Sequence, residues 1–249
     1  MVDRSVKNWY GGAMARPRQF DEDAVLCAVR DQFWDAGYAA TSLQDLMRVS
    51  GLGKGSLYAA FGDKHQLFLR VLRRYVASLD HAVRGSIDSA PRAVDALRSF
   101  VQMPVGDPAG RAARRGCLLA NSTTELASAD PVVAAEARRA GEGITAALTE
   151  GVRRAQVEGD VSASVDPVGV ARALLAAQQG LTFMGRAGTD VETLAATARS
   201  LTTRLLPTVA DRGDGKEPPR GPGDPVAPAP GVPRSAASPT RGASPSAAS

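Results

Sequence analysis

The spacing of apolar residues along the chain is helical wherever it is regular. Over 22–36, Val25, Ala28, Val29 and Phe33 form one face, Asp21, Glu22 and Asp23 suit the positive N-terminus, and Gly37 supplies a stop. A second helix is predicted over about 42–49 from Leu43, Leu46, Met47 and Val49, with Gln44 three residues after Thr41 as a capping box places it. A third covers about 54–61. A fourth takes Asp63 as cap and Gln66 three residues on, and its stripe runs through Leu67, Phe68, Val71, Leu72, Tyr75, Val76 and Leu79 to about residue 84. Further helices are predicted near 91–103, 114–127, 131–158, 167–185 and 190–206, with Pro91, Pro131 and Pro167 in first-turn positions. No alternating strand pattern intervenes, so the fold class is all-α.

The periodicity fails at both ends. Residues 1–14 read as a disordered leader. Residues 211–249 hold nine of the sixteen prolines and no aromatic residue, Leu or Ile. Such a segment buries too little apolar area to offset its ordering entropy and reads as a disordered tail. Between them, ten of the twelve aromatic residues occur by Tyr75, while the later helices are rich in Ala and Leu. That asymmetry predicts a small aromatic-cored head over 15–75 and a larger helical body over 76–210.

Composition narrows the chemistry. The chain has 249 residues, 44% hydrophobic and 22% charged, as in a soluble globular protein. No apolar run approaches the ~18 residues of a membrane span and no signal-peptide core opens the chain, so a cytoplasmic protein without a membrane partner is expected. Cys27 and Cys117 lie far apart, and the histidines are His65 and His81. No catalytic or metal-ligating constellation forms from these, so neither enzyme activity, nor a metal, nor a cofactor is expected. The net charge is only +4, but between Arg48 and Arg74 the cations Arg48, Lys54, Lys64, Arg70, Arg73 and Arg74 face a single Asp63, a local excess of +5.

That basic stretch contains "SGLGKGSLYAAFGDK", residues 50–64. A phosphate-binding P-loop fails here, because Arg48 holds the first glycine position and the preceding segment is helical rather than a strand. A dinucleotide fingerprint fails for want of the same strand. Helix, glycine turn, helix is the remaining reading, and it matches the helix-turn-helix. Gly51 would take the left-handed conformation, Leu52 and Leu57 would face the core, and Lys54, Gly55, Ser56 and Tyr58 would point outward from the end that enters a major groove.

"TSLQDLMRVSGLGKGSLYAAFGDKHQLF", with "VRDQFWDAGYAATSL" before it, resembles the N-terminal domain of the TetR/AcrR family of transcriptional repressors. The resemblance covers residues 20–75 and includes Gly37-Tyr38, Thr41-Ser42, Gly51, Leu57-Tyr58, Phe61, Lys64 and Leu67. In the body, "RGCLLANSTTEL" and "QQGLTFMGRAG" are similar to the ligand-binding, dimerising domain of one branch of that family. The resemblance implies that Ser42 and Gln44 approach the DNA backbone or a base, and that Lys54, Gly55, Ser56 and Tyr58 form the reading surface. Lys64 would meet a phosphate, and Arg16 and Arg18 would act as a basic arm in a minor groove. Phe33, Trp34, Tyr38, Phe61 and Phe68 are assigned to the core.

The resemblance also implies a homodimer through the last two helices, with Leu174, Leu175, Leu181, Leu194, Leu201 and Leu205 as candidate faces. Two-fold symmetry suits an inverted-repeat operator with half-sites about one DNA turn, ~34–36 Å, apart. A pocket for a largely apolar inducer is expected among the helices between about 91 and 185, lined by Phe100, Met103, Cys117, Leu118, Asn121, Glu125, Gln178 and Met184. Asn121, Glu125 and Gln178 stand out, since polar groups on buried helix faces need partners. Cys117, following Arg114, Arg115 and Gly116, is either a thiol sensor of electrophiles or a small buried hydrophobe. The function expected is a ligand-released repressor; the alternative is a helical ligand-binding or interaction module without specific DNA binding.

Overall fold

The computed structural model describes residues 20–107 and 110–206; the expected leader and tail, and Arg16 and Arg18, lie outside them. Among the described residues the chain is all-α. Its elements are α1 (Glu22–Ala36), α2 (Leu43–Ser50), α3 (Lys54–Phe61), α4 (Lys64–Ser89), α5 (Ala93–Gln102), a 3-10 turn (Met103–Val105), α6 (Arg111–Arg115), α7 (Leu118–Leu126), α8 (Pro131–Val157), α9 (Pro167–Arg186) and α10 (Val191–Leu205). None of these helices is long and apolar enough to cross a membrane.

The helix starts follow from side-chain caps. Asp21, Asp63, Asp130, Asp166 and Asp190 accept first-turn N–H groups of α1, α4, α8, α9 and α10. Pro131 and Pro167 occupy the first turns of α8 and α9, where a missing N–H costs nothing. Pro91 does not do the same for α5, which is capped at Arg92 and begins at Ala93. The helix expected over 114–127 is two helices, because Gly116 takes φ 73° and turns the chain between α6 and α7.

α4 is longer than its sequence stripe suggests. It runs unbroken across the expected head–body boundary because Val83 and Ile87 continue its buried face into the body core. The head core is built on Val29, Phe33, Leu46, Leu57, Leu67, Phe68 and Leu72, and it extends into Cys117, Leu118, Leu119, Val133 and Ala140 of the body. The second core joins α4, α5, α8, α9 and α10 around Leu97, Leu148, Leu174, Leu181 and Leu194. The leucines expected at a dimer interface therefore fill the subunit itself. Leu174, Leu181 and Leu194 are fully buried, and Leu175, Leu201 and Leu205 pack half-buried against the same core. On α9 the exposed residues are Gly169, Arg172, Ala176, Gly180, Phe183 and Arg186, with Ala187 just beyond its end, and on α10 they are Glu192, Thr193, Ala196, Arg199, Ser200, Thr203 and Arg204.

Candidate nucleic-acid interface and ligand cavity

The helix-turn-helix is set by its caps and its turn. Ser42 starts α2: its Oγ accepts the Asp45 N–H at 3.1 Å and donates to Asp45 Oδ2 at 2.6 Å, which also accepts the Ser42 N–H at 3.0 Å. These bonds, the Ser42 hydroxyl first, hold the Asp45 carboxyl down at about 2. The capping box is thus Ser42/Asp45 rather than Thr41/Gln44, because the buried Thr41 hydroxyl is spent on the Gly37 carbonyl at 2.6 Å. Gly51 adopts φ 67°, ψ 9° and reverses the chain, and Leu57 anchors α3 in the core.

The residues left outward are those expected. Lys54, Gly55, Ser56 and Tyr58 are exposed along the first turns of α3, and Gln44 is exposed on α2. Lys54 Nζ lies 5.8 Å from the Tyr58 ring centre. Lys64 stands at the first turn of α4, its Nζ 4.4 Å over the Tyr38 ring. Gly55 has a helical backbone, and a Cβ there would meet nothing within 4 Å. Neither turn nor packing inside the subunit asks for glycine, although glycine in a helix costs about 0.5–1 kcal/mol relative to alanine.

The charge count changes in three dimensions. Arg70 pairs with Glu22, Arg74 with Asp23, Arg73 with Glu136 at 2.7 Å and Arg48 with Asp45 at 3.1 Å. Of the basic group, Lys54 and Lys64 are the two without a carboxylate partner among the described residues. Both sit at positive helix ends, where a cation is unfavourable unless an anion arrives. α3 has neither an acidic residue in its first turn nor a side-chain cap, so its N–H groups and Lys54 together offer an anion site of phosphate character.

Beneath the head lies a cavity of about 370 Å³. Its head-side wall is Trp34 of α1 with Tyr75 and Leu79 of α4, and Trp34 and Tyr75 meet edge to face at 5.0 Å. The body contributes Phe100, Met103 and Pro104, the elbow Arg115–Gly116–Cys117, Ile144, and Leu175, Gln178, Gln179 and Thr182 of α9. Cys117 is buried, and its Sγ is 3.5 Å from Tyr75 Oη. Burial, and then the neighbouring thiol, push the Tyr75 hydroxyl well above its ordinary range, so it stays protonated.

Four of the eight expected pocket residues line this cavity: Phe100, Met103, Cys117 and Gln178. The other four lie elsewhere. Leu118 is in the head core and Met184 packs half-buried against the body core. Asn121 and Glu125 already have protein partners. Asn121 Nδ2 donates to the Arg115 carbonyl at 3.2 Å, bracing the elbow, and Glu125 accepts the Tyr38 and Ala39 N–H groups at 2.9 and 2.7 Å. Trp34, Tyr75, Leu79, Ile144 and Leu175 carried no signal beyond core-like hydrophobicity. The elbow had one, an isolated glycine inside a helical pattern.

That elbow fastens the cavity to the head. Arg115 donates to Asp35 at 2.7 Å and Asp31 at 3.1 Å on α1, and its guanidinium lies 4.4 Å over the Trp34 ring. The Trp34 Nε1–H in turn donates to the Gly116 carbonyl at 3.2 Å, and Arg186 of α9 donates to the Arg115 carbonyl at 2.9 Å. Nearer α3, His65 Nε2 is 2.6 Å from Asp130 Oδ2, tying the start of α4 to the start of α8.

Known proteins share this architecture. Residues 25–71 match the family model for bacterial regulatory proteins of the tetR family, and residues 93–201 match a tetracyclin repressor-like C-terminal domain. The HTH-type transcriptional repressor ComR of Escherichia coli (strain K12) is 30% identical over 195 residues, covering 77% of this chain and 91% of ComR. The uncharacterized HTH-type transcriptional regulator YezE of Bacillus subtilis (strain 168) is 29% identical over 182 residues, 73% of this chain and 94% of YezE. A cysteine mutant of the TetR family transcriptional regulator CifR, solved with 26 bp double-strand operator DNA, superposes with a TM-score of 0.65 at 28% identity, covering 78% of this chain and all of that one. A helix-turn-helix with two unpaired lysines, a helical body and these matches lead to one assignment: the chain belongs to the TetR family of DNA-binding transcriptional regulators.

Proposed function

We propose that the protein acts as a homodimeric repressor that is released from an inverted-repeat operator by a small molecule held in the cavity beneath the head. The observation that carries this reading is the double ownership of the cavity wall. Trp34 and Tyr75 belong to the two helices that position the helix-turn-helix, while Gln178 and Leu175 belong to α9 of the body. A molecule that prefers one spacing of these walls over another shifts the heads with them. Arg115 is the natural transmitter, since it touches both the cavity and α1. The repressor named ComR and the operator complex of CifR support the direction of the reading.

The reading surface is Lys54, Gly55, Ser56 and Tyr58, flanked by Gln44 and Lys64; Ser42 serves it through the cap of α2. The dimer forms through the small-residue stripe of α9 and α10. Phe183, 74% exposed in a helix interior, is its one large apolar anchor, and Ala176 and Gly180 let a partner helix come close. Two heads held this way reach two half-sites.

The test uses a pool of duplexes enriched by the purified protein from a random library. The double variant Lys54→Ala, Tyr58→Phe is then offered the pool. Losing two contacts on each of two heads is expected to weaken binding at least about 100-fold, with the sedimentation of the dimer unchanged. Undiminished retention of the pool by the variant would remove α3 as the reader.

A further inference from the structure

Taking the cavity as the effector site, we propose that its ligand is an uncharged ring molecule of roughly fifteen non-hydrogen atoms, mainly apolar, whose one polar edge carries both a donor and an acceptor and pairs with Gln178.

Size comes from the volume of about 370 Å³, near the lower end of ligand sites, filled at interior packing density. Charge comes from the wall. Among the described residues the one charged residue lining it is Arg115, whose guanidinium is held by Asp35 at 2.7 Å and by Asp31 at 3.1 Å, the latter carboxylate being shared with Arg30 at 2.9 Å. An anionic ligand would have to compete with two fixed carboxylates for that guanidinium. A cationic ligand would find no carboxylate on the wall among the described residues. Tyr75 stays a neutral hydroxyl, held so by burial. Taking an ion out of water into such a site is unfavourable without a partner.

The polar edge comes from Gln178. It is buried, yet its amide is half used. Its Nε2 donates to Thr182 Oγ1 at 3.3 Å and its Oε1 accepts from Gln179 Nε2 at 3.0 Å. A carboxamide has two N–H groups and two acceptor sites, so one of each is left without a protein partner. A lactam or a carboxamide satisfies both at once. The opposite wall offers a ring the face and edge of the Trp34–Tyr75 pair. The ligand thus bridges α9 to the head-side wall.

Four bicyclic probes of similar shape test this on the full chain by isothermal titration calorimetry at neutral pH: 2-quinolinone, naphthalene, 2-naphthoate and 2-naphthylmethylammonium. The lactam is expected to bind about tenfold or more tighter than naphthalene, the worth of a hydrogen bond to a buried polar group, and the two ions weaker than naphthalene. In Gln178→Met, and independently in Gln178→Leu, the lactam preference should fall to about twofold or less, while retained naphthalene binding reports an intact cavity. Ile144→Trp, which fills the cavity, should abolish binding of every probe. Tightest binding by either ion, lost in Ile144→Trp, would overturn the neutral-ligand inference and leave the effector site standing. A lactam preference untouched in the position-178 variants would overturn the pairing with Gln178 and likewise leave the effector site standing. No binding by any probe, or binding indifferent to Ile144→Trp, would overturn both.

Discussion

In the head, rings interlock: Phe68 meets Phe33 edge-on at 5.2 Å and Tyr38 at 4.9 Å, and Phe20 meets Phe61 at 6.0 Å. In the body, Leu, Ala and Val fill the core, and a void of about 370 Å³ remains where the body meets α1 and α4. Large interlocked rings leave few alternative packings, whereas side chains that border a void have room to shift at small cost. The surface proposed to read DNA is thereby held as one unit, and the void lies in the seam beneath it. The seam is bounded by Trp34 and Tyr75, which belong to the head, so a change in the body reaches the head through its own side chains.

The contrast can be broken most directly by removing a ring. Phe68 is 1% exposed, and Phe68→Ala is expected to cost about 3–5 kcal/mol, read as a loss of denaturant midpoint with operator binding lost in step. A milder change sharpens it. Leu46→Phe forces extra volume into the head and should cost about 1–3 kcal/mol, whereas Ile144→Phe, on the cavity wall, should cost under about 1 kcal/mol because the void absorbs the ring. Equal costs in paired denaturation curves would erase the distinction between the two regions. The smallest effect concerns acid. Asp45 is held at about 2, below its unfolded value of about 3.9, so its cap stabilises fully above that value and is lost as pH falls toward 2. The protection factors of the α2 amides, with the intrinsic pH dependence of exchange divided out, should fall across that window in the native protein and show no such step in Asp45→Asn.

The same contrast explains what could be read from the amino acids. The head is written locally: Asp63 with Gln66, Gly37 and Gly51 each fix a cap or a turn within a few residues, and the outward positions of α3 follow from them. Even there the capping box slipped by one residue, since Thr41 and Ser42 are equally good caps until Thr41 is drawn to the Gly37 carbonyl. The basic excess around α3 looked broader than it is, because Glu22, Asp23 and Glu136 arrive from elsewhere in the chain. In the body, buried polar residues on one helix look alike in sequence. Asn121 and Glu125 turned out to brace the elbow and the head, and Gln178 to face the cavity, a distinction that only the packing of distant helices makes. The surface proposed for the dimer was illegible for the opposite reason, since Ala176, Gly180, Ala196, Ser200 and Thr203 carry little hydrophobic signal and Phe183 stands alone among them.

Sequencing the duplexes enriched from a random library at near-physiological salt shows whether two identical heads read DNA from a two-fold frame. An inverted repeat is expected, with half-site centres about one helical turn apart, roughly 10–10.5 bp or a multiple of it. Enrichment of no motif, with binding that vanishes as salt rises, would contradict it and leave only nonspecific attraction between Lys54, Lys64 and phosphate.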